Sequence, residues 1–313
     1  MTTSNAGRSA KPVVTDRWRK AIAPISAALL LAMLGGCSTP KSPVPPLTPT
    51  PTGTYQIGKF VWYDLITDDV ASVKGFYGGL FGWEFDRIET EKDNFTLASH
   101  RGVPIAGIVS LQREDPAVSQ SQWVSSVSVP DVDGAAEYVK EQGGELHWGP
   151  KDVPDRGRLA VVSDPQGALF ALVRASGGDP LDQEPVPGGW LWTELWTRDL
   201  AAALSFYESL AGYTRETTDV ITDDEYHLLM RDDRARAGVR QLRWEDVRPN
   251  WLPYVLVDDP AAVVARVDGL GGRVLIAPND EIRGGNVALI ADPSGGVFAI
   301  QKWPMDESER GAR

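Results

Sequence analysis

The chain contains one stretch twice, and this repetition limits the possible folds more than any other feature. The sequence VWYDLITDDVASVKGFYGGLFGWEF begins at residue 61, and LWTELWTRDLAAALSFYESLAGYTR begins at residue 191. With an offset of 130, Trp62 aligns with Trp192 and Asp64 aligns with Glu194. An acidic residue inside an apolar run therefore occurs at matched positions of two copies.

The copies continue towards the end of the chain. GRLAVVSDPQGALFAL, from residue 157, is matched by GNVALIADPSGGVFAI, from residue 285. Repetition over this length indicates duplicated domains. We expect one domain at 55–175, a Gly- and Pro-rich linker at 176–189, a second domain at 190–304 and a polar tail at 305–313.

Each domain divides again into two similar modules. An apolar strand near 59–67 leads to a helix near 69–80, with Asp68 or Asp69 placed to cap it. Short strands follow near 83–88, 94–99 and 104–111. The cycle then restarts, with a strand at 123–129, a helix at 132–142 and strands near 145–149, 158–163 and 168–173. The sequence therefore predicts an α+β fold of four βαβββ modules.

The N-terminus has the pattern of a secretion signal. Five basic residues precede the 14-residue apolar run AIAPISAALLLAML, which is too short to span a bilayer comfortably. The run ends in LGGC, which resembles the lipobox of bacterial lipoproteins and implies cleavage after residue 36 and lipidation of Cys37. Cys37 is the only cysteine, and a free thiol is the alternative interpretation.

The expected mature chain is strongly acidic. The Pro- and Thr-rich segment 38–54 predicts a semi-extended tether after the lipidated Cys37. Without residues 1–36 the chain has 26 Lys and Arg against 42 Asp and Glu, a net charge of −16. Such a charge argues against nucleic acid as a partner, because phosphates require basic residues. The expected location is the bacterial cell envelope, outside the cytoplasm.

The two copies resemble a known superfamily. DLITDDVASVKGFYGGLFGWEF, VPDVDGAAEYVKEQGG and GRLAVVSDPQGALFALV, with their second copies, are similar to the vicinal oxygen chelate superfamily, which contains glyoxalase I, extradiol dioxygenases and bleomycin-resistance proteins. The tandem, lactoylglutathione-lyase-related and hydroxylase-like branch is the nearest in pattern. The resemblance implies two glyoxalase-like domains whose sheets curl into cups, but it does not fix an activity.

Metal-using relatives carry His or Glu near the start of the first strands and Glu in the final strand. Strand alternation assigns the matching positions here to residues that cannot ligate a divalent ion through their side chains. They are Trp62, Val124 and Ala171 in one domain and Trp192, Leu252 and Ala299 in the other. We therefore expect no metal and no other cofactor.

Alternation also predicts which side chains face the cups. Asp64 and Glu194 are the candidate catalytic groups, and each is either a general base or ligand anchor, or a structural group bonded to backbone or to a nearby arginine such as Arg156 or Arg283. Such an arginine could alternatively recognise an anionic substrate. The predicted ligand-binding side chains are Trp62, Trp192, Trp196, Ser126, Tyr254 and Gln301. The tryptophans could instead be core or interdomain packing.

Three functions remain open from the sequence. The first is an anchored, metal-independent protein that binds a small organic molecule in aromatic-lined cups, for sequestration or resistance. The second is a lyase, isomerase or hydroxylase-like enzyme that uses a cup carboxylate as base. The third is an envelope scaffold whose cups are filled by its own side chains. A homo-oligomer is compatible with each of them.

Overall fold

The computed structural model describes residues 44–88, 95–111, 121–218, 226–244 and 247–304. The expected signal peptide, Cys37 and the polar tail lie outside these ranges. Within them, no helix is both long enough and apolar enough to cross a membrane.

The first domain is an eight-stranded mixed sheet with two helices. Its elements are β1 (Phe60–Thr67), α1 (Val70–Phe81), β2 (Glu84–Ile88), β3 (Phe95–His100), β4 (Val103–Ser110), β5 (Gln122–Ser128), α2 (Val132–Glu141), β6 (Glu145–Val153), β7 (Gly157–Ser163) and β8 (Leu169–Ala175). The strand order is β2-β3-β4-β1-β5-β8-β7-β6. The two modules therefore join through β1 and β5, which pair antiparallel.

The second domain repeats this topology. Its elements are β9 (Trp190–Thr197), α3 (Leu200–Ala211), β10 (Thr214–Glu216), β11 (Tyr226–Arg231), β12 (Arg234–Gln241), β13 (Asn250–Leu256), α4 (Pro260–Val267), β14 (Arg273–Ile276), β15 (Val287–Ala291) and β16 (Val297–Gln301), with short 3-10 turns at Asp268–Leu270 and Arg283–Gly285. The order β10-β11-β12-β9-β13-β16-β15-β14 matches the first sheet strand for strand. The predicted α+β fold of four βαβββ modules is confirmed.

Local sequence explains where the helices begin and end. The side chain of Asp69 accepts a hydrogen bond from the Ser72 amide at 3.0 Å and caps α1. The helix ends at Gly82, whose φ of 73° lies in the left-handed region that glycine adopts without strain. Asp199 and Gly212 cap α3 in the same way, so the repeated sequence specifies repeated ends.

Strand register places the matched acids on the concave face of each sheet, called here cup 1 in the first domain and cup 2 in the second. Asp64 lies opposite Val124 on β5, and Glu194 lies opposite Leu252 on β13. Leu65, with the opposite parity, belongs to the apolar core shared with the helices. The alternation expected from the sequence is therefore the one that the sheets adopt.

The two domains share one core and interlock. Tyr77 on α1 donates a hydrogen bond to Asp292 of the second domain at 3.1 Å and accepts one from Trp123 at 2.9 Å. The second domain repeats the arrangement with Tyr207, which donates to Asp164 of the first domain at 2.9 Å. Buried polar groups tied across the junction in both directions hold the domains in one relative position.

The Pro-rich segment departs from the sequence prediction. From Val44 to Thr54 it packs on the first domain instead of forming a free tether. Leu47 is only 4% exposed, and the Thr52 amide donates to Gly177 O at 2.9 Å. Because the polyproline composition shows only that the segment lacks a core of its own, its packing against another part of the chain could not be predicted from it.

Candidate functional site

Glu194 lies at the centre of cup 2 and is completely buried. Its Oε1 accepts hydrogen bonds from Trp196 Nε1 at 2.7 Å and from the Tyr254 hydroxyl at 2.9 Å. Its Oε2 accepts one from Nη2 of Arg283, with which it forms a buried ion pair. Both oxygens of Glu194 are therefore bonded within the protein.

Arg283 is held as firmly as its partner. Its Nη1 donates to Gln301 Oε1 at 2.8 Å, and the guanidinium lies 5.3 Å from the ring centroid of Tyr226. Only its Nε lacks a partner among the described residues. Burial opposes ionisation of Glu194, but the charges of Arg283 and Arg240 outweigh it and hold the pKa of Glu194 below its usual value.

Asp64 occupies the matched place in cup 1 but is held much less tightly. It accepts a hydrogen bond from Trp62 Nε1 at 2.9 Å, whereas Nη1 of Arg156 stays 3.8 Å from Oδ1, beyond hydrogen-bond distance. Its side chain remains 21% exposed. Burial among apolar neighbours raises the pKa of Asp64, and the charge of Arg156 and the bond from Trp62 offset this only in part.

Arg156 is buried and only partly bonded. Its guanidinium lies 4.5 Å from the ring centroid of Trp62 and 5.5 Å from that of Phe95. Its Nε donates to Pro45 O at 3.2 Å, and its Nη2 has no partner among the described residues. A buried donor without an acceptor costs free energy, which an incoming acceptor oxygen would recover.

The Pro-rich segment covers part of cup 1. Leu47 belongs to one apolar cluster with Trp62 on β1 and with Val173 and Ala175 on β8. A cavity of about 330 Å³ remains between this segment and the turn that carries Arg156. The segment therefore occupies one side of cup 1 and contacts the same cation that could bind a ligand.

Two glycines make room for the polar centres of the cups. Gly107 pairs with Asp64 across β4 and β1, and a Cβ at that position would overlap the Asp64 carboxylate. Gly238 pairs with Glu194, and a Cβ there would overlap the hydroxyl of Tyr226. The dipeptide Ala-Gly, repeated at 106–107 and 237–238, is the sequence signal that could have indicated this constraint.

The structure separates the predicted ligand-binding side chains into three settings. Trp196, Tyr254 and Gln301 lie around the Glu194–Arg283 pair in cup 2 and are buried. Trp62 and Ser126 are paired across β1 and β5 in cup 1 and are also buried. Trp192 is half-buried; its Nε1 donates to the Tyr226 hydroxyl at 3.1 Å, and the residue lies on a groove between the domains.

The residues of the cups do not fit the metal site of metal-using relatives. The observed register leaves Trp62, Val124 and Ala171 at the positions expected for ligands in cup 1, and none has a donor suited to a divalent ion. In the part of the chain that the structure describes, no group of three His, Cys, Asp or Glu side chains could hold a metal ion.

Sequence comparisons identify both domains. A family model described as Glyoxalase/Bleomycin resistance protein/Dioxygenase superfamily matches residues 59–172, and one described as Glyoxalase-like domain matches residues 192–301. The Putative glyoxylase CFP32 of Mycobacterium tuberculosis is 31% identical over 252 residues, which are 79% of this chain and 96% of that protein. The anthracycline biosynthesis protein DnrV of Streptomyces peucetius is 33% identical over 258 residues, 78% of this chain and 92% of that protein.

Solved structures with the same fold are more distant in sequence. The Mn(II)-bound glyoxalase from Novosphingobium aromaticivorans has a TM-score of 0.54 and 15% identity, with 80% of this chain and 83% of that chain covered. The 2,3-dioxygenase LapB from Pseudomonas sp. KL28 has a TM-score of 0.53 and 11% identity, with 80% and 93% covered. At these identities the likeness concerns the fold alone.

Proposed function

Because this chain belongs to the Glyoxalase/Bleomycin resistance protein/Dioxygenase superfamily, we propose that it binds a small organic molecule in cup 1 without a metal ion. One observation carries the proposal: of the two matched acid–arginine pairs, the Asp64–Arg156 pair is the less completely bonded. Nη2 of Arg156 lacks an acceptor and Asp64 is partly exposed, whereas Glu194 and Arg283 satisfy each other. A ligand gains most where the protein leaves polar groups without partners.

The surroundings of the pair define the ligand class. Arg156 would donate to a carbonyl, carboxylate or phenolate oxygen, and Asp64 would accept from a ligand hydroxyl or amine. Trp62 and Phe95 supply flat apolar surface beside the pair. A planar ring system that carries oxygen substituents combines these features, and the relative named for anthracycline biosynthesis supports this class.

Ligand entry requires the Pro-rich segment to move. Pro45 O accepts from Arg156 Nε, and Leu47 lies against Trp62. In this proposal the segment occupies cup 1 in the absence of ligand, and the bound ligand takes over the surface that the segment covers. The free energy of ligand binding to cup 1 is then less favourable by the free energy that holds the Pro-rich segment in place.

Anchoring completes the proposal. Lipidation of Cys37 would hold the protein at a membrane of the bacterial envelope, and the LGGC sequence supports it. Val44 is fixed on the first domain, and only seven residue steps separate it from Cys37. A fully extended chain spans at most about 3.6 Å per residue, so the start of the packed segment would lie within roughly 25 Å of the anchor.

Catalysis is the second candidate. Asp64 has a raised pKa, is partly exposed and lies among apolar side chains, as a general base requires. The relative named Putative glyoxylase is compatible with a lyase or isomerase of this kind. The scaffold hypothesis fits cup 2 better, because its polar centre is already bonded within the protein.

Titration with a fluorescent anthracycline tests the binding proposal. Asp64→Asn should weaken binding by roughly 10- to 100-fold, the equivalent of losing one hydrogen bond to a charged group. Asp86→Asn, the same change at an exposed position of β2, is the matched control and should leave affinity unchanged. Absence of saturable binding, or equal affinity in the two variants, would show that cup 1 does not bind this class.

A further inference from the structure

A second concave region lies outside both cups, at the junction of the two domains. It is a groove of about 1030 Å³ where the first residues of β1 and β9 come together. The Tyr63 hydroxyl and Thr193 Oγ1 are 2.6 Å apart at this junction. The linker residues 180–186 form one wall and residues 47–52 form another. Leu47 and Trp62, which belong to the cup 1 proposal, also line this groove, but Asp64 and Arg156 do not.

One end of the groove is positively charged. Three cations surround the single carboxylate of Asp182: Lys59 Nζ at 3.0 Å, Arg236 Nη1 at 2.9 Å and Arg234 Nη1 at 3.3 Å. The carboxylate of Asp179 lies near Lys59 and accepts from the Gln56 amide and from Ser128. With Arg101 and Glu184, which also line the groove, four cations stand against three carboxylates, so one positive charge is uncompensated.

Two of the three cations, Lys59 and Arg236, are only partly compensated although they are shielded from water, whereas Arg234 is exposed. The side chain of Arg236 is 7% exposed and its Nε has no partner among the described residues. Burial lowers the pKa of Lys59, and the bond to Asp182 restores it only in part. A net positive end is unusual in a chain whose formal charge is −12, so general solubility does not account for it.

Much of the remaining groove surface is apolar and open to solvent, beside polar side chains such as Arg101, Gln183 and Glu184. Of the four large hydrophobic side chains that are exposed in the described ranges, three line it: Val103 (51%), Leu181 (55%) and Val186 (41%). Trp190 and Trp192 lie on the same surface. Single exposed hydrophobic residues are ordinary, but their concentration on one concave surface indicates a binding surface.

We propose that this groove binds an amphipathic organic anion. Its carboxylate or sulfonate would lie against Lys59, Arg234 and Arg236, where it supplies the missing negative charge. Its apolar body would lie along Val103, Leu181 and Val186 and remove them from water. The head group and the body would thus be recognised by different residues of one groove, which selects for molecules that have both.

Three probes with the same tail test the head-group requirement. Isothermal titration of the full chain with decanoate, decanol and decyltrimethylammonium compares an anionic, a neutral and a cationic head. Decanoate should bind at least tenfold more tightly than the other two, and added salt should weaken it. Equal affinity for all three, or no decanoate binding, would overturn the proposal.

Two variants locate the site. Arg234→Ser removes an exposed cation and leaves Asp182 paired with Lys59 and Arg236, while Leu181→Ser removes exposed apolar surface. Each should weaken decanoate binding about three- to tenfold without changing the melting temperature. Arg273→Ser, at an exposed position of β14 outside the groove, is the control. Decanoate affinity that is unchanged in both groove variants would also overturn the proposal.

Discussion

Matched substitutions in the two cups should lower the free energy of unfolding by very different amounts. Glu194→Gln removes the charge that faces Arg283 while preserving the shape of the side chain. Asp64→Asn makes the same kind of change in cup 1. Glu194 is completely buried and accepts from Arg283, whereas Asp64 is partly exposed and 3.8 Å from Arg156.

The expected magnitudes follow from these contacts. Removing one partner of a buried ion pair costs about 3–5 kcal/mol, so Glu194→Gln should lower the free energy of unfolding by about that amount. The fold favours the charged form of Glu194, whose pKa is lowered, but disfavours that of Asp64, whose pKa is raised. A neutral Asn at position 64 should therefore cost about 1 kcal/mol or less, because its oxygen can still accept from Trp62.

Urea unfolding at pH 7 measures both costs. The deficit of Glu194→Gln should shrink as pH falls from the usual pKa of glutamate to the lower pKa of native Glu194, since the unfolded wild-type chain binds a proton there before the native state does. Adding Arg283→Met to Glu194→Gln should cost less than the sum of the two single changes, because the unpaired cation is removed. Equal costs at positions 64 and 194, or a larger cost at 64, would refute the asymmetry.

Further predictions follow from other contacts. Leu47→Ala should weaken the attachment of residues 44–54 by about 2 kcal/mol, the value of one buried leucine, and limited proteolysis should then cleave this segment faster while the domains stay intact. Burial raises the pKa of Asp292 to about 6, so between pH 4 and pH 6 the native state binds more protons than the unfolded state. The free energy of unfolding of the wild type, measured relative to that of Asp292→Asn, should accordingly fall by roughly 3 kcal/mol as pH rises through that interval, at about 1.4 kcal/mol per pKa unit. A difference between the two proteins that does not change with pH would contradict the raised pKa of Asp292. A chelator should leave the melting temperature of the full chain unchanged, and a drop of several degrees would indicate a metal that the cup residues do not explain. Cys37→Ala should move the protein from the membrane fraction to the soluble fraction, and an unchanged pellet with unchanged processing would contradict lipidation.

The sequence predicted the modules well because the relevant signals are local. Capping by Asp69 and Gly82 and the alternation of side chains along β1 depend only on neighbouring residues. The same alternation correctly placed Asp64 and Glu194 on the concave faces. Repetition added a second, independent copy of every signal, which made the topology predictable from one chain.

The difference between the two cups was not predictable, because it depends on loop geometry. Arg156 lies in the tight turn between β6 and β7, whereas Arg283 begins a 3-10 turn that carries an additional glycine. Arg283 contacts Glu194, whereas Arg156 stays 3.8 Å from Asp64, whose side chain is also one methylene shorter than that of Glu194. The sequence presented Asp64 and Glu194 as candidates alike, and the contacts of the two pairs are the reason that our proposal uses Asp64.

The packed segment and the interdomain bonds were missed for a related reason. Nothing local in the Pro-rich sequence indicates that Leu47 covers Trp62. The turn sequences at Asp164 and Asp292 are visible in both copies, but their tyrosine partners come from the opposite domain. Contacts between distant parts of a chain require the assembled fold.

Native mass spectrometry of the protein, isolated from the cells that make it, tests the central claim most directly. It detects a retained metal ion and a retained organic molecule in the same spectrum. We predict an organic adduct in cup 1 of the wild-type chain that is absent from Asp64→Asn, and no stoichiometric transition metal. A tightly bound metal ion in each domain, or the same set of organic adducts on the wild type and on Asp64→Asn, would contradict this prediction.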